Sequence, residues 1–330
     1  MIISRTPFRI SFFGGGTDYP AWYREQGGAA ISVSINKFCF ITLRELPPFF
    51  EYNYRVRYHQ KEQVKCIDEI QHPSVRECLR FMKVEKGVEI VHSADLPAQS
   101  GLGSSSSFTV GLLHALYSLM YKMPTKRELA LNAIHVEQEL IRENVGSQDQ
   151  TAAAFGGLNR IDFGCPQHIQ VRPIILPPDK MDRLCSHLML FFTGFSRTAS
   201  DVAAEQIKRT MDKAAELHKM MELVEEALSI LLREADSLDD FGRLLHEQWL
   251  IKRQMTHLIS NPRIDGIYEA GLQAGALGGK LLGAGGGGFI LFFVRPENQP
   301  RMRQRFQDLL HVPFRFDHVG SQIVYYANHS

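Results

Sequence analysis

The chain has 330 residues, with 37 lysines and arginines against 36 aspartates and glutamates and a formal net charge of +1. That length allows two domains and a substantial core, and that charge offers no broad basic surface to a nucleic acid. The longest apolar runs, such as Phe289–Val294, are strand-sized and too short to span a bilayer. Residues 1–5 lack the pattern of a signal peptide. Cys39, Cys66, Cys78, Cys165 and Cys185 fall in no metal-ligand spacing, which predicts free thiols in a reducing compartment. A soluble, cytoplasmic protein with no nucleic-acid or membrane partner is expected; a homo-oligomer stays open.

Residues 2–13 predict a strand with apolar residues around Arg5 and Arg9. The turn Phe13-Gly14-Gly15-Gly16-Thr17-Asp18-Tyr19-Pro20 follows. Asp18 there either caps the next segment or accepts hydrogen bonds from a ligand's hydroxyls. Residues 29–43 are rich in Ile, Val and Phe and predict strands. Residues 44–66, with Pro47-Pro48 and many aromatics, predict an irregular hairpin and loop with no assignable chemistry.

Val88–Val91 reads as a strand, and the stretch Asp95-Leu96-Pro97-Ala98-Gln99-Ser100-Gly101-Leu102-Gly103-Ser104-Ser105-Ser106-Ser107 comes next. Phe108, Leu112, Leu113, Leu116, Leu119 and Met120 then recur at helical spacing. A Pro/Gly/Ser loop thus opens onto a helix N-terminus, where unpaired amides and the helix dipole favour an anion. Gly101 and Gly103 let the backbone approach closely, and the serines supply hydroxyls to phosphate oxygens or a magnesium ion. A flexible linker or an ordinary cap is the plainer alternative. The loop matches neither the Walker pattern, which ends in Gly-Lys-Ser/Thr, nor the dinucleotide pattern, which needs a third glycine where Ser106 stands.

A helix is predicted over 126–144, with Leu129, Ala130, Ala133, Ile134, Leu140 and Ile141 on one face and Glu137 in the middle of it. A carboxylate in an apolar stripe needs a partner, either an ion pair or a metal. After a break at Asn144-Val145-Gly146, Asp149 stands at the opening of a further helical run, as a first-turn acid or a functional one. The chain passes into a second domain near 183–187, giving domains 1–183 and 184–330. The second begins with a strand at 187–192 and a loop through Arg197, and continues as long helices from about 200 to 257. Finally, Lys280-Leu281-Leu282-Gly283-Ala284-Gly285-Gly286-Gly287-Gly288 runs into an apolar strand at 289–294. Four consecutive glycines there, between a helix and a strand, imply close approach to a ligand or to another loop.

These stretches together resemble the GHMP kinase superfamily. Its first motif is similar to Pro7–Tyr19, its phosphate loop Pro-x-x-x-Gly-Leu-Gly-Ser-Ser to Pro97–Ser105, and its third motif to Lys280–Gly288. The resemblance implies an α+β, two-domain GHMP kinase fold. Its N-terminal domain would be like ribosomal protein S5 domain 2 and its C-terminal domain ferredoxin-like, with ATP and an acceptor between them. It also implies a phosphate-binding loop of Pro97, Ser100, Gly101, Leu102, Gly103, Ser104, Ser105 and Ser106. By position, Ser104 and Glu137 match magnesium ligands, Asp149 the catalytic aspartate and Arg9 the arginine beside it. Gly15, Gly16, Thr17, Asp18, Gly285 and Gly286 fall where the acceptor is held.

The chemistry is coherent with phosphoryl transfer: neutralised phosphate oxygens, an in-line hydroxyl and a carboxylate to take its proton. Galactokinases have Gly-Glu-His-Thr-Asp where this chain has Gly14-Gly15-Gly16-Thr17-Asp18, so side chains at the sugar end are absent. The first motif, with Phe195-Ser196-Arg197-Thr198-Ala199-Ser200, most resembles the heptose 7-phosphate kinases, which act on the anomeric C1 hydroxyl. Arg197 is then expected to hold a distal phosphate of a sugar phosphate. A fucokinase- or galactokinase-like enzyme, a non-catalytic sugar- and ATP-sensing relative and a dinucleotide oxidoreductase are the alternatives.

Overall fold

In a computed structural model, which describes residues 1–98, 100–164, 168–194, 199–234 and 237–327, the chain builds two sheets, each covered by helices. The first sheet takes its strands mainly from the first half: β1 (Ile2–Phe13), β2 (Gly28–Glu45), β3 (Tyr54–Arg57), β4 (Lys61–Val64), β5 (Val88–Ala94), β6 (Leu158–Gly164) and β7 (His168–Pro173). β2 is 18 residues long, so beyond its antiparallel pairing with β1 it serves three more neighbours. Its first part pairs with β6 and its later part with β5. β3 lies parallel to β5 and antiparallel to β4, which gives the 44–66 stretch a short, ordered hairpin.

The helices of this half are α1 (Pro20–Gln26), α2 (Pro73–Phe81), α3 (Ser104–Leu119), α4 (Lys126–His135), α5 (Gln148–Phe155) and α6 (Pro178–Ser186). Phe8, Ile10, Phe12 and Phe13 of β1 form core with Val110, Leu112, Leu113 and Leu116 of α3. The helix can sit close because Ser4 donates its hydroxyl to Gly111 O at 2.8 Å, satisfying a polar group inside that core.

The second sheet is antiparallel and four-stranded. It contains β8 (Leu188–Phe192), β9 (Ala276–Leu281), β10 (Phe289–Val294) and β11 (Leu310–His311) in the order β11-β8-β10-β9. α7 (Ala199–Lys208), α8 (Ala214–Leu232), α9 (Asp239–Gln254), α10 (Pro262–Gln273) and α11 (Gln299–Arg305) accompany it. Every residue of β10 is buried, which is why it reads as an unbroken apolar run. The chain then returns to the first sheet: β12 (Phe316–Asp317) pairs with β2 and β13 (Gln322–Tyr326) with β1. Residue 183, the expected division, lies inside α6.

Two expectations need correction. The predicted helix over 126–144 is α-helical only to His135; Val136–Leu140 form a π turn, with Ile141 N donating to Val136 O at 2.9 Å, and the regular helix goes no further. The extra residue in that turn allows two successive side chains, Val136 and Glu137, both to be fully buried. The glycine cluster does not join a helix to a strand: Lys280 and Leu281 end β9, and residues 282–288 are the hairpin loop into β10. The periodicity of β9 was hidden by Gly278 and Gly279. Cys39, Cys66, Cys78 and Cys185 are free thiols, and Cys165 lies outside the described residues.

Candidate active site

The loop between β5 and α3 is held by the glycine hairpin of the second sheet. Gly101 is at φ +82°, and a Cβ there would lie 2.4 Å from Leu282 O; one on Gly283 would lie 2.5 Å from Gly101 Cα, and one on Gly288 2.3 Å from Ser100 O. Phe289 N donates to Ser100 O at 3.1 Å. Bare backbone therefore meets bare backbone, and the second glycine cluster serves as the seat of the first. Gly285 is backed by Ile259, 2.7 Å from where its Cβ would be, and Gly286 N donates to Ile259 O at 2.9 Å. On the other side, Arg9 N donates to Leu102 O at 3.1 Å, tying the loop to β1. Gly103 caps α3 in the left-handed region, φ +75°, with no side-chain cap hydrogen bond, so the start of the helix is framed by backbone alone. Ser104 is half-buried and Ser105 exposed at this helix start; Pro97 is exposed where the loop begins.

Asp149, in the first turn of α5, meets Arg9 in a two-pronged pair. Arg9 Nε donates to Oδ1 and Nη2 to Oδ2, both at 2.7 Å, while Nη1 donates to Gly101 O at 2.9 Å. Arg9 is 4% exposed, whereas the Asp149 side chain is 28% exposed, so the pair is fixed from below and open at the carboxylate. A Cβ on Gly103 would lie 3.3 Å from both Arg9 Cγ and Asp149 Oδ2. Only the missing Cβ of Gly103 separates the loop from the carboxylate, and Arg9 links the two through Gly101 O.

Glu137 is fully buried behind the start of α3. Its Oε2 accepts from Ser106 Oγ at 2.8 Å and from Gln150 Nε2, while Oε1 accepts no hydrogen bond. Burial pushes this carboxyl up to about 7, opposed by the nearby Thr109 hydroxyl and aided by the Glu143 carboxylate. A buried carboxylate oxygen with no donor, beside helix-terminal serines, fits a divalent cation. No group of three metal-ligating side chains occurs among the described residues, so such a cation would take its remaining ligands from phosphates and water.

Asp18 sits across the cavity, on the loop after β1. Gly16 N donates to its Oδ1 at 2.9 Å and Gln148 N to its Oδ2 at 3.4 Å; burial raises its pKa. The Thr17 hydroxyl is spent inside the turn, between Gly14 O at 2.8 Å and Ala29 O at 3.0 Å. At Gly15 the nearest atom to an added Cβ is Ser11 Oγ, at 3.6 Å, an ordinary contact, whereas at Gly14 a Cβ would lie 1.8 Å from Ala29 O. Lys252 of α9 and Lys280 of β9 reach in from the second half, an arrangement not anticipated from the sequence. Lys252 follows Leu245 and Trp249 on one buried face of α9, the same signal that singled out Glu137.

Arg9, Asp18, Asp149, Lys252, Lys280 and the serines at the start of α3 line one cavity of about 730 Å³ that also takes in Phe108, His72, His92 and Tyr58, whereas Thr17, Glu137, Gly285 and Gly286 are not among its lining residues. His72 stacks on Phe108 at 4.7 Å and His92 meets its edge at 5.0 Å, forming an aromatic wall next to the phosphate loop. Arg197 lies outside the described residues. No helix among the described residues is long and apolar enough to cross a membrane.

Comparison with known proteins gives this arrangement its context. Residues 67–157 match the GHMP kinases N terminal domain and residues 220–311 the GHMP kinases C terminal domain. A D-glycero-alpha-D-manno-heptose 7-phosphate kinase of Campylobacter jejuni is 29% identical over 89% of this chain and 90% of its own length. A bifunctional fucokinase/GDP-fucose pyrophosphorylase of Arabidopsis thaliana is 24% identical over 92% of this chain but only 31% of its own. A D-glycero-D-manno-heptose 1-phosphate kinase from Bacteroides thetaiotaomicron shares the fold with a TM-score of 0.74 at 23% identity, covering 99% of this chain and 100% of that one. A galactokinase of Lactococcus lactis does so at 0.71 and 19%, covering 97% and 94%. With both domain families matched in order and the two-domain fold in common, the chain belongs to the GHMP kinases, ATP-dependent phosphotransferases.

Proposed function

We propose that this protein phosphorylates the anomeric C1 hydroxyl of D-glycero-D-manno-heptose 7-phosphate with ATP, for nucleotide-activated heptose synthesis. The observation that carries the reading is the Arg9–Asp149 pair held against Gly103, which sets a carboxylate at the mouth of a phosphate loop. The triphosphate would lie along the amides from Gly101 to Ser105, with its base against the Phe108 and His72 wall. Asp149 would accept the proton of the attacking hydroxyl, and Arg9 would hold its geometry and offset developing charge. Ser104 and Glu137 would hold a magnesium ion, which when bound neutralises phosphate oxygens. Gly15 and Gly16 border the cavity without side chains, and the acceptor would lie against them.

The Campylobacter jejuni relative supports a heptose phosphate, and the fucokinase relative supports free fucose as the rival acceptor. ADP release measured with heptose 7-phosphate, unphosphorylated heptose, fucose and galactose tests the reading. A kcat/KM at least roughly tenfold higher for the phosphorylated heptose, and a product labelled at C1 by NMR, are expected. Equal activity on free fucose would replace the heptose reading with a fucokinase.

A further inference from the structure

Two buried amines in the cavity have no carboxylate partner. Lys252 is 5% and Lys280 4% exposed, and both line the space beside the loop after β1. Among the described residues neither forms an ion pair. Asp18 is the acid whose field reaches both, yet its oxygens already face Gly16 N and Gln148 N. Lys252 Nζ donates to Gly15 O at 3.2 Å and to Gln206 Oε1 at 3.0 Å; Lys280 Nζ donates to Phe12 O at 3.0 Å. An ammonium carries three N–H donors. A charged Lys252 therefore keeps one N–H, and Lys280 at least one, with no acceptor among the described residues, on groups that border the cavity. A buried amine without an anion sheds its proton more readily, and an anion arriving from outside would restore and pair the charge.

We propose that Lys252 and Lys280 form a paired amine seat for an anionic group of the acceptor, a phosphate monoester. The proposal rests on the sugar-kinase reading and deepens it by naming what recognises the acceptor's charge. A phosphate monoester offers several oxygens and two charges, matching the free donors; a sugar hydroxyl would leave the cations unpaired. The amines are anchored to Phe12 and Gly15, on the loop after β1, and not to the Gly101–Ser105 loop proposed for the triphosphate. The groups facing them are Asp18, Arg9 and one another. Burial lowers Lys252 to about 8, with Asp18 opposing and Arg9 assisting, and burial, Lys252 and Arg9 push Lys280 well down. Below pH 8 Lys252 is mainly charged, and above it the seat loses its charge before the ligand arrives.

The test is the ratio of kcat/KM for heptose 7-phosphate to that for unphosphorylated heptose, from pH 7 to 9.5, in wild type, Lys252→Met and Lys280→Met. Effects on ATP and on the reacting groups are common to both sugars and cancel in the ratio. In wild type the ratio is expected to fall at least tenfold over that range; in Lys252→Met it is already at least tenfold lower at pH 7 and flat with pH. A ratio unchanged by pH and by both variants, or equal losses on both sugars, overturns the proposal. Should the variants fail to fold, as shown by circular dichroism, the wild-type pH profile decides alone. If wild type releases ADP with none of the sugars, the heptose reading fails separately. The seat is then read by calorimetric titration of wild type with inorganic phosphate: binding at pH 7 that weakens at least tenfold by pH 9.5 supports it, and equal or absent binding refutes it.

Discussion

Replacing Asp149 by Asn removes one charge while keeping the side chain's volume, so its consequences can be worked from the contacts. Arg9 loses one of two 2.7 Å bonds, because the new amide nitrogen faces a guanidinium donor and cannot accept. Breaking one side of a buried ion pair costs about 3–5 kcal/mol. Here Arg9 keeps Gly101 O, and Asp149 is 28% exposed and admits water, so about 2 kcal/mol of stability is expected to go. The chemical step suffers more. Without a carboxylate to receive the hydroxyl proton, kcat should fall on the order of 10²–10⁴-fold, with ATP binding retained. A coupled ADP assay at saturating substrates gives the rate, calorimetric titration gives the nucleotide affinity and thermal unfolding gives the stability. Unfolding at an unchanged temperature with kcat within threefold of wild type would refute both the buried-pair reasoning and the role in proton transfer. A lowered unfolding temperature with normal kcat would leave Asp149 as a structural partner of Arg9.

Gly101→Ala drives a Cβ to 2.4 Å from Leu282 O at a positive φ, so it should separate the two glycine loops, lower stability by roughly 2 kcal/mol or more and raise the KM for ATP; a normal KM would mean the loop tolerates the shift. Glu137→Gln removes the only carboxylate proposed for the cation and should raise the magnesium concentration for half-maximal rate by roughly tenfold, whereas an unchanged requirement with lower thermal stability makes it a scaffold residue. His72 is held neutral, burial pushing it down to about 4 with Glu62 opposing. The unfolded chain therefore binds a proton there below about 6.5 that the fold refuses, so stability is lost as pH falls from 6.5 towards 4. Urea unfolding should show that loss, on the order of 1–2 kcal/mol given partial exposure, shrinking in His72→Asn; parallel pH slopes in both proteins would rule it out.

Much of the architecture could be read before the structure because it follows from local pattern. β1, β5, β8 and β10 announce themselves by apolar runs, and α3 by its spacing behind a Pro/Gly/Ser loop. What could not be read is set by distant contact. Nothing local says that the glycine hairpin at 282–288 supports the loop at 100–103, or that the hairpin expected within 44–66 lays its first strand, Tyr54–Arg57, parallel to β5. The π turn at Val136–Leu140 is invisible to a 3.6-residue period, since it inserts one residue without changing composition. Glu137 was legible as an anomaly because it interrupts an apolar face. Lys252 carried the same signal but sat among helices that looked like scaffold, and Gly278 and Gly279 concealed the strand that delivers Lys280.

The return of β12 and β13 to the first sheet has a consequence for recombination. Thr6 Oγ1 meets Ser321 Oγ at 2.9 Å, Arg5 Nη2 donates to Gln322 Oε1 at 2.6 Å, and the first residue's amine donates to Ala327 O at 2.8 Å. A single crossover near residue 183 between this chain and a relative would therefore join a first sheet from one parent to closing strands from the other. Those strands, which begin at Phe316, would have to match β1 and β2 in register and in side chain although the splice lies far upstream of them. Functional chimaeras of this fold should thus arise from two crossovers, one near 187 and one near 313, which exchange the second sheet and its lysines as an insert while each parent keeps its own closing strands.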